Sequence, residues 1–337
     1  MKFTNLSGDG SRFALGALVA AAVSLSVVAG AAAQGFPNSP IKLIAPFPPG
    51  GGVDLTARLL SSKLRDSFHQ PVVVENITGA TGQIGVERVA KAKPDGYTAV
   101  VAASAAITIN LHLTKLGYDP VKDLAPITML VTSPTALAVN ASLPVNTLQE
   151  FLAYARANPG KVSYSTSGVG SQLHVAGELL KQRTGIDMVA VAYKGTLPAT
   201  AAIVSGEVQA GISDLPTLLP HAAANRIKIL AITDAARSSS APNIPTVAES
   251  GVPNFVAGSW LGLFTTGGTP PDIVAKWHTD VAALLRTPEM QKALQDIGLE
   301  AAPNKSADEF GAFVRSEISK WGEAITSAKI KLDQPSN

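Results

Sequence analysis

Cysteine is absent from the 337-residue chain. That excludes disulfides, thiolate metal ligands, a cysteine nucleophile and a lipid-modified amino-terminal cysteine. Stability must therefore come from core packing, which a chain of this length supports. Charge is sparse and balanced, with 27 Lys and Arg against 25 Asp and Glu and a net charge of +2. No run of basic residues occurs, so the clustered positive surface that nucleic acid selects is missing and no nucleic-acid partner is expected. The five histidines, His69, His112, His174, His221 and His278, are widely separated. None lies three to five residues from another, which is the spacing a zinc site uses, so neither a metal nor a cofactor is expected. Beyond the amino terminus no apolar run is long and uniform enough to span a bilayer.

The amino terminus is different. Lys2 and Arg12 give a basic start, residues 13–30 are uncharged and rich in Ala, Val and Leu, and Ala31-Ala32-Ala33-Gln34 supplies small residues. This is the order of a secretory signal, with cleavage expected after Ala33 and a periplasmic mature protein. A membrane anchor would need a similar length, but the Ala- and Gly-rich run and its cleavage-like end favour removal. A single Arg precedes the run, so a twin-arginine route is not supported.

The rest alternates short β-branched runs with helical periodicity. Strands are predicted at residues 41–47, 71–75 and 98–102, with helices at 54–68 and 84–92 between them. That order implies an α/β fold with a mostly parallel sheet. The pattern then repeats, with strands at 136–140, 162–165, 188–193, 208–212 and 228–233. The intervening helices are predicted from Thr147 to Ala157, at 171–183 and at 198–204. Residues 235–253 read as loop, 259–265 as strand, and Pro271 opens a helix. A last helix over 306–328 carries Phe310, Phe313, Val314, Ile318, Trp321 and Ile325 on one face, read as core packing. This organisation implies two lobes, 34–134 plus 257–337 and 135–256, with a cleft between them as the favoured ligand site.

Ligands of open α/β sheets lie beyond the carboxyl ends of strands, which selects five segments. Phe47-Pro48-Pro49-Gly50-Gly51-Gly52 joins a strand to a helix whose free N–H groups favour an anion. Asp54 suits the N-cap there, and the run lacks both the G-K-[ST] ending and the G-x-G-x-x-G spacing of nucleotide loops. A glycine turn without a ligand fits the same residues. Ser165-Thr166-Ser167-Gly168-Val169-Gly170-Ser171 offers hydroxyls and N–H groups, with Ser171 also a plain N-cap. Lys194-Gly195-Thr196-Leu197-Pro198 is again strand to helix, with Thr196 as cap and Pro198 in the first turn. Ala103 and Ser104 follow the 98–102 strand, where small residues leave room. Asp214 follows the 208–212 strand and is read first as a helix cap, second as a ligand acceptor. Ser171 or Ser104 could also be a hydrolase nucleophile, with His174 as its base, although the G-x-S-x-G elbow is missing.

Taken together, these segments resemble the Bug-type receptors of tripartite tricarboxylate transporters. The motifs are PFPPGGGVDLTAR (46–58), VENITGATGQIGVERVAKAKPDGYT (74–98), YDPVKDLAPIT (118–128), NPGKVSYSTSGVGSQLHVAGELL (158–180), AYKGTLPA (192–199), IPTVAESGVP (244–253) and SWLGLF (259–264). The resemblance implies a two-lobed type II periplasmic-binding-protein fold that binds a small organic carboxylate without chemistry and hands it to membrane carrier subunits. It further implies that backbone N–H groups and waters of the loops at 47–52 and 194–198 hold the proximal carboxylate. The family often carries an Asp where this chain has Thr200-Ala201-Ala202, and Phe-Asp where it has Ser213-Asp214. With Ala102, Ala103, Ala105 and Ala106 small and neutral, an aromatic or extended dicarboxylate is the expected ligand, and a monomer the expected state. A ligand sensor feeding a signalling partner stays open beside the transport role.

Overall fold

The structure, a computed structural model, describes Met1 and residues 35–193, 195–327 and 329–330. The expected signal segment and Lys194 therefore lie outside the described residues. By backbone contact the chain divides into Met1–Ser39 and Pro40–Asn337.

The second of these units contains two sheets. The first sheet is built from β1 (Ile41–Ala45), β2 (Val72–Asn76), β3 (Thr98–Ala103), β4 (Leu124–Ser133), β10 (Ser259–Thr266) and β11 (Glu300–Ala301), in the order β11-β4-β10-β3-β1-β2. The other is built from β5 (Thr135–Asn140), β6 (Val162–Thr166), β7 (Met188–Ala192), β8 (Ala210–Asp214) and β9 (Ile227–Ile232), in the order β7-β6-β8-β5-β9. Each sheet is mixed, where the sequence suggested mostly parallel pairing. β1 lies parallel to β2 and β3, and β6 parallel to β7 and β8. β10 runs antiparallel to both its neighbours, and so does β5. The reason is connectivity: β5 and β10 are the strands entered directly from the other sheet. They lack the helical crossover that returns a strand parallel to its predecessor.

The ten-residue β4 was not anticipated. Its run LAPITMLVTS is interrupted by Pro126, which lacks the N–H of a central strand; the register with β10 slips beside Phe264, where Pro126 pairs. Only Pro134 separates β4 from β5, so one nearly continuous strand passes from sheet to sheet. The chain returns through residues 233–258, which form no helix or strand, as the run of prolines predicted.

Helices α1 (Gly52–Phe68) and α2 (Gln83–Ala90) flank the first sheet, with the short α3 (Ser104–Thr108) and α4 (Asn110–Leu113) after β3. The second sheet carries α5 (Leu148–Ala157), α6 (Gln172–Thr184), α7 (Thr196–Ser205) and α8 (Leu215–Ala223). The chain ends with α9 (Pro271–Leu285), α10 (Pro288–Asp296) and α11 (Ala307–Ser327). Helix α11 belongs to two cores. Phe310 and Val314 pack with Ile44, Val100, Trp260 and Phe264 of the first sheet. Trp321, Ala324 and Ile325 pack with Phe151, Tyr164 and Leu180 of the second. The aromatic face predicted for this helix is thus core, shared between both sheets.

Candidate functional site

The parallel strands of both sheets end toward one cleft. A cavity of about 160 Å³ there is lined by Ala103, Ser104, Ser167, Ser171, Thr196 and Asp214, six residues expected from the sequence. Thr81, Ala105, Gln172, Leu173 and Ser259 complete it.

Ser171 is the N-cap of α6 and accepts the His174 amide at 3.2 Å, leaving its own hydroxyl proton for a ligand. The first-turn N–H groups of α6 and α7 have no acceptor within their helices and carry the positive end of the helix dipole. They face the same cleft as the hydroxyls.

Thr196 is not a cap. Helix α7 begins at Thr196 itself, and Gly195 occupies the cap position at φ 108°, a conformation that favours glycine. The Thr196 hydroxyl lines the same cavity as Asp214 and favours the charged form of its carboxyl. Asp214 in turn stands at the cap position of α8 but makes no side-chain cap bond, so the capping role read from its sequence gives way to a carboxyl group turned to the cleft. Burial pushes its pKa up from the usual carboxylate value, and the Thr196 hydroxyl partly offsets this. No Lys, Arg or His appears among the described residues of the lining.

The remaining expected residues lie apart from the lining. Ser165 is fully buried with its hydroxyl unpartnered. A Cβ on Gly211 would strike both that hydroxyl and Ile203, so the side chain points beneath α7. Thr166 shapes its own loop, donating to the Gly168 carbonyl at 3.2 Å and accepting the Gly168 amide at 3.3 Å. Pro198 is exposed in the first turn of α7, and Lys194 is outside the described residues.

The first glycine loop is a structured turn. Pro48 to Gly52 are exposed. Helix α1 starts two residues earlier than predicted, with Gly51 as its cap, which places Asp54 in the first turn and not at the N-cap. The Asp54 carboxylate reaches back to the Gly50 amide at 2.9 Å and also receives Asn76 Nδ2 at 2.8 Å and Arg58 Nε at 2.9 Å. Asn76 Nδ2 further donates to the Phe47 carbonyl at 3.0 Å. The Phe47 ring packs over Gly82, whose Cβ would lie 3.0 Å from it. Phe47 is thereby tied to the turn holding Thr81.

Thr81 went unrecognised as a site residue. It has φ 55°, next to Ala80 at φ 45°. A β-branched residue in this region is strained, and such strain gathers at ligand clamps. Its signal was the TGATG run within a family-like motif. Gln172 and Ser259 had weaker signals, being the residue after a cap and the first of a strand.

Among the described residues no hydrogen bond joins the His174 ring to Ser104 or Ser171. His174 Nδ1 accepts the Gly170 amide at 3.0 Å, so the ring is oriented by backbone. Burial lowers its pKa. Ser104 donates at 2.6 Å to Gln172 Oε1.

A larger cavity, of about 250 Å³, lies beside Asp234, Glu300, Glu317, Lys320 and Trp260. Its charged groups are engaged. Glu300 receives Ser238 and Ser239 hydroxyls at 2.8 Å each, and Glu317 pairs with Lys320 and receives Trp321 Nε1. The smaller cavity, lined by the loop and cap residues selected from the sequence, is the candidate site.

A two-sheet α/β chain crossed between its halves, with a cleft at the carboxyl ends of both sets of parallel strands, has the architecture of a periplasmic binding protein. Residues 56–330 match the family described as Tripartite tricarboxylate transporter family receptor, and the chain belongs to that family. Protein BugT of Bordetella pertussis is 36% identical over 310 residues, covering 90% of this chain and 94% of its own. Among solved structures, Rpa4515 of R. palustris with adipate superposes with a TM-score of 0.76 at 34% identity, covering 88% of this chain and 99% of that one. MatC (Rpa3494) from Rhodopseudomonas palustris with bound malate gives 0.71 at 31% identity, covering 86% and 100%.

Proposed function

We propose that the chain is an exported receptor that captures a small organic carboxylate in the cleft between its two sheets and delivers it, without chemical change, to membrane carrier subunits of a tripartite tricarboxylate-type transporter. The observation that carries this is the cleft lining: hydroxyls and helix amino termini converge there. Such neutral donors hold a carboxylate through charge-assisted hydrogen bonds without an Arg. Adipate and malate in the related structures support the carboxylate class. The mature chain begins at Gln34, after signal cleavage, and acts as a monomer with lobes 34–134 plus 257–337 and 135–256. No helix among the described residues is long and apolar enough to cross a membrane. In this reading the loops at 47–52 and 194–198 complete the shell around the proximal carboxylate when the ligand is present.

The test is a thermal-shift screen of the purified receptor against adipate, malate, citrate, glutamate, nicotinate, protocatechuate and terephthalate, with their neutral esters as controls. A ligand of the folded state raises the melting temperature with concentration. A rise with one acid and none with its ester is expected. Ester turnover that is lost on Ser171→Ala or Ser104→Ala, with no shift by any acid, would replace the reading with a hydrolase.

A further inference from the structure

Gln172 occupies the first turn of α6, yet none of its side-chain bonds is local. Oε1 accepts the Ser104 hydroxyl at 2.6 Å, 68 positions away. Nε2 donates to the Ala257 carbonyl at 3.3 Å and to that of Gly258, 85 and 86 positions away. Local capping is already met by Ser171, so helix formation does not require this carboxamide. Ser104 directly follows β3 of the first sheet, α6 packs on the second, and Ala257 and Gly258 are the last residues before β10 on the return crossing. One side chain, 7% exposed, thus joins both bodies and the segment about which they would turn.

The chemistry fits a fastening and not a ligand contact. A carboxamide has two N–H donors, and both are spent on carbonyls of the crossing, while its oxygen already holds a hydroxyl. Gln172 has no donor left for an anion, although it lines the cleft. The bond to Ser104 joins groups that water can satisfy when the bodies part, so its net contribution is modest and reversible.

We propose that Gln172 is a positioning residue for ligand capture, fastening α6 to Ser104 across the cleft and to the return crossing, and so holding the two bodies closed. This deepens the receptor reading, on which it rests for the role of closure, but the bond can be tested without any ligand. Opening breaks the Ser104 bond while the carbonyl bonds keep the carboxamide aimed for re-closure.

The cysteine-free chain allows two spin labels to be placed uniquely. Val73→Cys on β2 and Val189→Cys on β7 lie on the outermost strands of the two sheets and are 48% and 47% exposed. Distances between them are measured by pulsed electron resonance, first without ligand and then with adipate or malate. Gln172→Ala and Ser104→Ala are each expected to reduce the closed-to-open ratio roughly two- to tenfold, as loss of one neutral hydrogen bond implies. The double variant should lose no more than Gln172→Ala alone, since the Ser104 bond is shared. For a bound acid, dissociation should speed while association changes little. Ser104→Ala removes a single hydroxyl and keeps the test open should Gln172→Ala unfold. An unchanged distance distribution in the variants, or a parent with no short-distance population under any condition, overturns the proposal. A shifted distribution with no acid bound by the parent keeps the fastening and removes the carboxylate reading.

Discussion

The carboxylate of Asp54 closes the loop that precedes it, receiving the amide of Gly50 at 2.9 Å. The same group holds Arg58 and Asn76, and its side chain is 2% exposed. Asp54→Ala strands these partners at once. A cost of about 1.5–3 kcal/mol is expected in urea unfolding, the range for part-buried hydrogen bonds to a charged group. The Arg58 hydrogen bond is the main reason that the Asp54 pKa is lowered from 3.8 to about 2. Its stabilisation is present above pH 3.8 and is lost as pH falls through about 2, so acid unfolding of the variant should lack that component.

Asp234 behaves oppositely. Burial raises its pKa from 3.8 to about 7, opposed by the Thr135 amide, which it accepts at 3.1 Å, and reinforced by Glu300. Lys320 lowers it and Asp214 raises it further. The folded state holds a proton that the unfolded state has released, so this group's contribution is full below pH 3.8 and declines as pH rises to about 7. Asp234→Asn keeps an acceptor for Thr135 and should flatten that decline, read as melting temperature against pH from about 4 to about 8.

Gly85 has no room for a side chain. A Cβ would lie 2.6 Å from Cβ of Pro46 and 2.7 Å from the Ile77 carbonyl. Gly85→Ala should cost about 1–3 kcal/mol by overpacking. It should also weaken carboxylate binding by displacing the adjoining Phe47 loop, which calorimetry of the folded variant would show.

Asp214 sets the charge of the cleft. With no basic residue in the described lining, a second ligand carboxylate would meet this acid, whose pKa burial raises, so dicarboxylates should bind more tightly as pH falls and the group takes up its proton. Asp214→Asn should remove most of that dependence while leaving a monocarboxylate largely unaffected. Equal pH profiles for both classes in the parent protein would refute the assignment.

The alternation of strands and helices was legible because each short β-branched run is bounded by turn residues, and the strand-end rule led from there to Ser104, Ser171 and Asp214. What the sequence hid was tertiary. The antiparallel course of β5 and β10 depends on where the chain enters each sheet. The strand β4 was obscured by Pro126, tolerated at a register slip. The partners of Asp214 and Gln172 depend on neighbours 18 or more positions away, which no local pattern records. Thr81 carried only a motif, since a left-handed backbone at threonine is imposed by its surroundings.

The position of β10 has a consequence in time. This strand sits inside the first sheet, between β3 and β4, yet is synthesised only after the whole second sheet. The half of the molecule made first is therefore finished last, and α11, made later still, supplies a wall to both cores. Until those final segments are available, β3 and β4 have an unfilled place between them, and such non-local completion makes assembly slow. A nascent chain of this design stays incomplete until nearly all of it has been made.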